Sequence, residues 1–425
     1  MKNKITIILT LCGLVCSPVM ASDFTKNATS YINAKVENYN YDWSRSGQHH
    51  NESPYKVEYG VSSGYHDGWV GVDFAAHAVG LLKWASDERG DNGYDFGNVQ
   101  PDGKTLTNIG VAYLKTKFNL EDLGQLKAGF GTKHRFYGLF NEDPIRINMT
   151  SSRGLDINLD LGQHQIFAMV VDQYQAFNAD YYLEDIQGLD GETINYVGLI
   201  GAKGKVSGVN YHLEYAKSDD FLDRVYYAID YSVDSINTNF EVRGSNIISA
   251  GEHFTLEEPE SGVLHLIARS KLSHDTSLMF VGSKIYGADM YQFHSAPNGV
   301  HRVMFQHAYL NNEVPMLEGE ELIMAQLNQN FDRWLWNGFD LMTSYYVGND
   351  ATGIDGYSRS EFVFQVQQDF GKLHPVLHGL SLSYWYAHHD AAGVDDGHRS
   401  GKVDNSFFLS NDHNRRWQLH YRLML

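Results

Sequence analysis

The sequence predicts an all-β protein, a transmembrane antiparallel β-barrel of about 18 strands with short turns at one end and long loops at the other. Three observations predict it. Apolar residues recur at every second position in segments of about ten residues, the length a tilted strand needs to cross a bilayer. Tight turns alternate along the chain with long polar stretches. The 425 residues include 40 glycines, 27 tyrosines and only 8 prolines, which leaves no Pro-rich linker to divide domains and too many aromatic residues for disorder.

The first 21 residues stand apart from the rest. Lys2 and Lys4 open them, an apolar run follows from Ile5 to Val15, and Val19-Met20-Ala21 closes them. This is the pattern of a secretory signal peptide over 1–21. A lipoprotein alternative would use Cys16, but Val15 before it is bulkier than such sites accept. The remainder, 22–425, reads as one barrel domain. Cys12 and Cys16 both fall in the signal, so the mature chain has no thiol. An exported chain without cysteine is neither a disulfide scaffold nor a thiolate zinc protein. The net charge is -19, and loss of Lys2 and Lys4 takes it to -21. That balance argues against nucleic-acid binding. No run of about 18 apolar residues follows the signal, so no transmembrane helix is expected.

The strands follow in order. Leu114 and Phe118 alternate with Tyr113, Lys115 and Lys117, and Leu126, Ala128 and Phe130 alternate with Gln125, Lys127 and Gly129. Leu155, Ile157, Leu159 and Leu161 alternate with Asp156, Asn158 and Asp160. Val209, Leu213 and Tyr215 alternate with Asn210, His212 and Glu214, and Val225, Ile229 and Val233 with Arg224 and Asp230. Late in the chain Phe362, Phe364 and Val366 alternate with Glu361, Gln365 and Gln367, and Leu380, Leu382 and Tyr384 with Ser381 and Ser383. Soluble sandwich strands are usually about five or six residues long, shorter than these.

Tight turns are expected at Gly162-Gln163-His164, Lys203-Gly204-Lys205, Ser273-His274 and Phe331-Asp332-Arg333. Long loops are expected at 41–54, 83–106, 132–153, 173–193, 245–262, 286–318, 348–357 and 390–414. Val300–Leu310 is assigned to a loop, which keeps the strand count even. The final strand places Trp417, Leu419, Tyr421, Leu423 and Leu425 against Arg416, Gln418, His420 and Arg422. Such an apolar end resembles the signal read by the barrel assembly machinery. Closure against the first strand would remove its exposed edge. Trp334, Trp336, Tyr226, Tyr227, Tyr345 and Tyr346 sit near strand ends and fit interfacial girdles.

Parity also assigns the cations. Lys115, Lys117 and Lys127 share the side opposite the apolar residues, as do His265, Arg269 and Lys271 and, on the last strand, Arg416 and Arg422. On the lipid face each would cost about 2–4 kcal/mol at mid-bilayer. They are therefore lumen-facing candidates, together with Trp385. The loop 132–153 mixes Arg135, Arg146 and Arg153 with Glu142, Asp143 and Tyr137.

Other motifs carry no chemistry. Gly60-Val61-Ser62-Ser63-Gly64 matches the nucleophile-elbow spacing, but no helical period follows it. The histidines form no His-Glu-x-x-His, and His49-His50 and His388-His389 read as loop residues whose neighbours point apart. The acidic pairs Glu257-Glu258 and Asp395-Asp396 read as solvated loops. No cofactor, metal or catalytic residue is expected.

The segment Asn27–Trp43 resembles the opening strand of OprD-type porins, and Gly68–Leu82 resembles their third strand. Leu126–Thr132 and Ser151–Asp156 resemble the strands that flank the family's constriction loop. The resemblance implies an 18-stranded outer-membrane porin of a Gram-negative bacterium. It further implies that loop 132–153 turns inward and that Arg135, Tyr137, Glu142, Asp143, Arg146 and Arg153 form the constriction. Members admit small carboxylates or basic amino acids, and a chitoporin-like branch admits chito-oligosaccharides. Many carboxylate-selective members carry an arginine ladder on late strands. Here those strands offer Ser344, Gln365, Gln367, Ser381, Ser383 and Trp385 instead. The expected activity is passive diffusion of small polar solutes, oligosaccharides first and carboxylates or amino acids as the alternative. A less favoured alternative is a barrel enzyme. The expected partners are lipopolysaccharide, outer-membrane lipid and the barrel assembly machinery, with no nucleic acid.

Overall fold

Eighteen long strands close into one antiparallel barrel in the computed structural model. It describes residues 23–43, 48–84, 104–142, 147–179, 182–188, 191–254, 260–287, 293–295, 299–301, 317–334, 336–392 and 412–425. The expected signal peptide therefore lies outside the described residues. The first nine strands are β1 Thr29–Trp43, β2 Gln48–Ser62, β3 Val70–Trp84, β4 Leu106–Asn119, β5 Gln125–Lys133, β6 Ser151–Asp160, β7 His164–Gln175, β8 Val197–Val206 and β9 Val209–Ser218. The second nine are β10 Leu222–Val233, β11 Thr238–Ala250, β12 Ser261–Lys271, β13 Thr276–Gly287, β14 Glu321–Asn330, β15 Phe339–Asn349, β16 Ser358–Asp369, β17 Leu380–Ala392 and β18 Asp412–Met424. Each pairs with its neighbours in sequence, and β18 returns to β1, with Leu423 opposite Ile32 and Leu419 opposite Val36. Closure leaves no edge, as a bilayer requires.

The period-two pattern decides which way each side chain points. Phe130, Ile157, Leu213, Ile229, Leu266 and Phe280 are all exposed on the outside. Their neighbours Gly129, Asn158, His212, Ala228, His265 and Met279 face inward. An apolar exterior over a polar interior inverts the soluble arrangement and defines a membrane barrel. Trp69 stacks on Phe118 and Trp336 on Phe339 near the short turns, forming one aromatic girdle.

Several sequence expectations change. The expected turn at Lys203-Gly204-Lys205 lies inside β8. The chain reverses instead at Ser207-Gly208, both with positive φ (50° and 87°) as a two-residue hairpin needs. Strands β1 and β2 extend through most of 41–54 and leave only 44–47 between them. Strands β11, β17 and β18 likewise shorten the loops expected at 245–262 and 390–414. Tyr226 and Tyr346 are buried on the inner side while Tyr345 is exposed outside, because adjacent strand residues cannot share a face. Of 300–310, only Val300 and His301 are described, in a short ribbon that pairs Gly299–His301 with Phe293–Ser295.

Candidate functional site

Residues 134–142, which leave β5, and 147–150, which return to β6, lie across the inside of the barrel. Two contacts on distant strands establish their course. Asn148 Nδ2 lies 3.0 Å from His77 Nε2 on the inner face of β3. At the other end, the Gly138 and Leu139 N–H groups donate to Glu214 on the inner face of β9. Five strands separate β3 from β9, so the segment is a chord through the lumen. Irregular backbone is stable at membrane depth only in such a setting. The second insertion, around 176–194, packs against the first: Asn148 Nδ2 donates to the Phe177 carbonyl at 3.1 Å. Leu139, Phe140, Phe177, Ile186 and Ile194 are buried, and Leu139, Phe140, Ile186 and Ile194 belong to an apolar mass that fills part of the lumen.

The inward segment is rooted on Asp156 of β6. The Arg135 guanidinium, fully buried, grips this carboxylate through Nε at 3.2 Å and Nη2 at 2.8 Å. Arg135 also donates to the Ser152 hydroxyl and carbonyl and to the Gly131 carbonyl. Lys133 Nζ approaches Asp156 at 3.3 Å, and the Tyr137 and Tyr113 hydroxyls donate to it at 3.0 and 3.2 Å. The Tyr137 ring stacks on Phe167 of β7 at 5.4 Å. Burial, and then the Asp156 charge, push the Tyr137 phenol well above its ordinary pKa, so it remains a donor. Glu142 is buried and accepts from the Ser152 hydroxyl at 2.6 Å. A cavity of about 330 Å³ lies beside this segment, lined by Lys133, Tyr137, Asn158, Phe167 and Lys203 among others.

The other expected constriction residues lie elsewhere. Arg153 shares the outward parity of Leu155 and Ile157 and pairs with Asp172 through two bonds of 2.9 and 2.5 Å, so it does not line the passage. Asp143 and Arg146 lie outside the described residues.

The wall candidates all occupy the inner parity. Lys115 Nζ contacts Asp73 at 2.6 Å and Ser62 at 2.7 Å, and Lys117 sits 4.3 Å over the Tyr65 ring. His265 Nδ1 is 2.5 Å from the Ser283 hydroxyl. Arg269 binds Glu241 at 2.5 Å. Arg416 binds Glu37 at 2.8 Å between the rings of Tyr39 and Trp385. Arg422 lies 4.9 Å over the Tyr31 ring. Arg269 and Lys271 border a second, larger space of about 1030 Å³ near the short turns, where Gln326, Asn328, Gln365 and Gln367 supply neutral amides. Sequence reasoning missed the importance of Asp156 and Glu214. Both appeared only as polar partners in an alternating strand.

No family model matches the chain, and no curated protein matches it in sequence. Solved structures do match over nearly its whole length. Acinetobacter baumannii OccAB3 superposes with a TM-score of 0.79 at 14% identity, covering 94% of this chain and 100% of its own. Pseudomonas aeruginosa OpdK, solved with vanillate, gives 0.75 at 15% identity, covering 95% of this chain and 100% of its own. Acinetobacter baumannii OccAB4 gives 0.76 at 14% identity, with 94% and 98% covered. The chain has the closed 18-stranded barrel fold of the OprD/Occ outer-membrane porins.

Proposed function

We propose that the protein is an outer-membrane diffusion channel for small polar solutes, passive in operation, with a preference for small carboxylates. The charge of the inner wall carries this reading. Most of its carboxylates are engaged by cations: Asp73 by Lys115, Glu58 by Lys56, Asp156 by Arg135 and Lys133, Glu241 by Arg243 and Arg269, and Glu37 by Arg416, while Asp230 and Asp340 accept from asparagine amides. Among the described residues, Lys35, Lys127, Lys203 and Arg422 stand on the inner parity with no carboxylate within ion-pair distance. This excess is local, because the whole chain carries -19. Fixed charge in a narrow lumen of reduced dielectric acts on a passing ion far more strongly than charge on an open surface. The structural neighbour OpdK, solved with vanillate, is in keeping with a carboxylate permeant. Lipopolysaccharide and the barrel assembly machinery are the partners this reading implies.

A second reading rests on the larger cavity. Its Gln326, Asn328, Gln365 and Gln367 amides suit hydroxyl-rich, uncharged solutes such as oligosaccharides. Planar-bilayer recording in a salt gradient separates the two. An anion-selective reversal potential with current block by small carboxylates supports the first. Weak ion selectivity with current interrupted by oligosaccharide moves the assignment to the second. Folded protein that never conducts overturns the channel reading itself.

A further inference from the structure

We infer that Glu214 is a positioning residue that latches the tip of the constriction segment to the barrel wall at β9 and so fixes the free cross-section of the pore. The inference rests on the channel reading above. The tip is a small hairpin: Phe136 bridges Asn141, Glu142 N–H donates to the Arg135 carbonyl at 2.8 Å, and Tyr137 N–H to the Phe140 carbonyl at 2.7 Å. Gly138 and Leu139 form its turn, and their amides point away from the hairpin. Buried N–H groups need acceptors. Both amides find one carboxylate, 76 and 75 positions along the chain: Gly138 donates to Glu214 Oε1 at 2.9 Å and Leu139 to Oε2 at 2.7 Å.

The latch is enclosed. The Glu214 side chain has no exposure, and His212 Nε2 holds its Oε1 from the same strand at 2.7 Å. Tyr226 of β10 closes the other side. A Cβ at Gly138 would lie 2.7 Å from the Tyr226 ring, so only glycine permits this approach. The Asp156 cluster holds the root of the segment, while Glu214 holds its far end. Without the latch the root stays fixed, and the hairpin turn, still packed through Leu139 and Phe140, loses its two charge-assisted bonds and moves into the passage more often. Losing one bond to a charged group changes such an equilibrium roughly ten- to hundredfold.

The test compares Glu214→Gln with Asp230→Asn. Each removes one inner-wall carboxylate charge. Asp230 bonds only Asn210 and Asn239 among the described residues, at 2.9 and 2.7 Å, and does not touch the tip. Glu214→Gln presents an NH₂ donor to one of the two tip N–H groups, so one bond is lost even if the fold is kept. A heat-modifiable gel shift verifies the barrel of each variant. Hydrogen exchange in detergent micelles should then show the Gly138 and Leu139 amides exchanging at least roughly tenfold faster in Glu214→Gln alone. In planar bilayers that variant should show open-channel flicker that wild type and Asp230→Asn lack. Unchanged exchange at both tip amides, or equal flicker in the two variants, overturns the latch. Wild-type protein that does not conduct would contradict the channel reading, while the exchange result would still judge the latch. If Glu214→Gln fails to fold, Gly138→Ala, which pushes the tip off Tyr226, should produce the same flicker; a quiet Gly138→Ala channel overturns the latch.

Discussion

Asp156→Ala removes the acceptor shared by Arg135, Lys133, Tyr113 and Tyr137 in a single step. The magnitude follows from the burial of Arg135, whose side chain has no exposure. Breaking a buried ion pair by deleting one partner typically costs about 3–5 kcal/mol, because the other charge stays buried and uncompensated. Arg135 keeps its bonds to Ser152 and Gly131, which places the expected loss near the lower end, about 3 kcal/mol. The assay is urea unfolding of the protein in lipid vesicles, followed by tryptophan fluorescence, with single-channel conductance measured alongside. The variant should unfold at lower denaturant, and its conductance should rise as the root of the constriction loosens. Replacing the pair by apolar groups, Arg135→Met with Asp156→Leu, should recover much of the stability, because the fully buried guanidinium is then gone and only the partly exposed Lys133 loses a partner. A stability for Asp156→Ala within about 0.5 kcal/mol of wild type, with unchanged conductance, would refute the Asp156 anchor, since that is the range of an ordinary surface change.

Further outcomes follow from the wall and its loops. Ile157→Arg, on the exposed outer face of β6, should impair assembly by about 2–4 kcal/mol if it lies near the midplane. The gel shift reads this, and normal assembly would contradict the outward assignment. Lys127→Glu and Arg422→Glu should each move the reversal potential in a salt gradient towards cations, and an unmoved potential would remove those residues from selectivity. An epitope inserted in 393–411, between the ends of β17 and β18, should be reached by antibody on intact cells. Access only after outer-membrane permeabilisation would invert the topology.

Much of the wall was legible because its physics is local. Leu155, Asp156, Ile157 and Asn158 announce inside and outside one residue at a time, and a barrel repeats that code eighteen times. Features that break the period were not legible. A register shift opposite Arg153 and Gly154 leaves Asp172 unpaired on β7, which a reading by composition cannot see, and Arg153, on the parity of Leu155 and Ile157, pairs with that carboxylate. Lys203-Gly204-Lys205 has the composition of a turn, yet Gly204 stays in β8, where a Cβ would meet His164 Nδ1 at 2.5 Å. The inward segment was half legible. Its mixed charges marked the segment, but the partners that fix it depend on the closed barrel. Nothing near Glu214 in sequence shows that a loop tip 76 residues earlier will dock on it.

Liposome swelling tests the channel claim most directly, because it reads solute flux through the folded barrel. Vesicles reconstituted with the wild-type protein and placed in isotonic solutions should swell at rates set by the permeant. Small carboxylates should enter faster than neutral solutes of equal size, and Lys127→Glu should narrow that difference. Vesicles that contain correctly folded protein and swell no faster than protein-free ones would contradict the account.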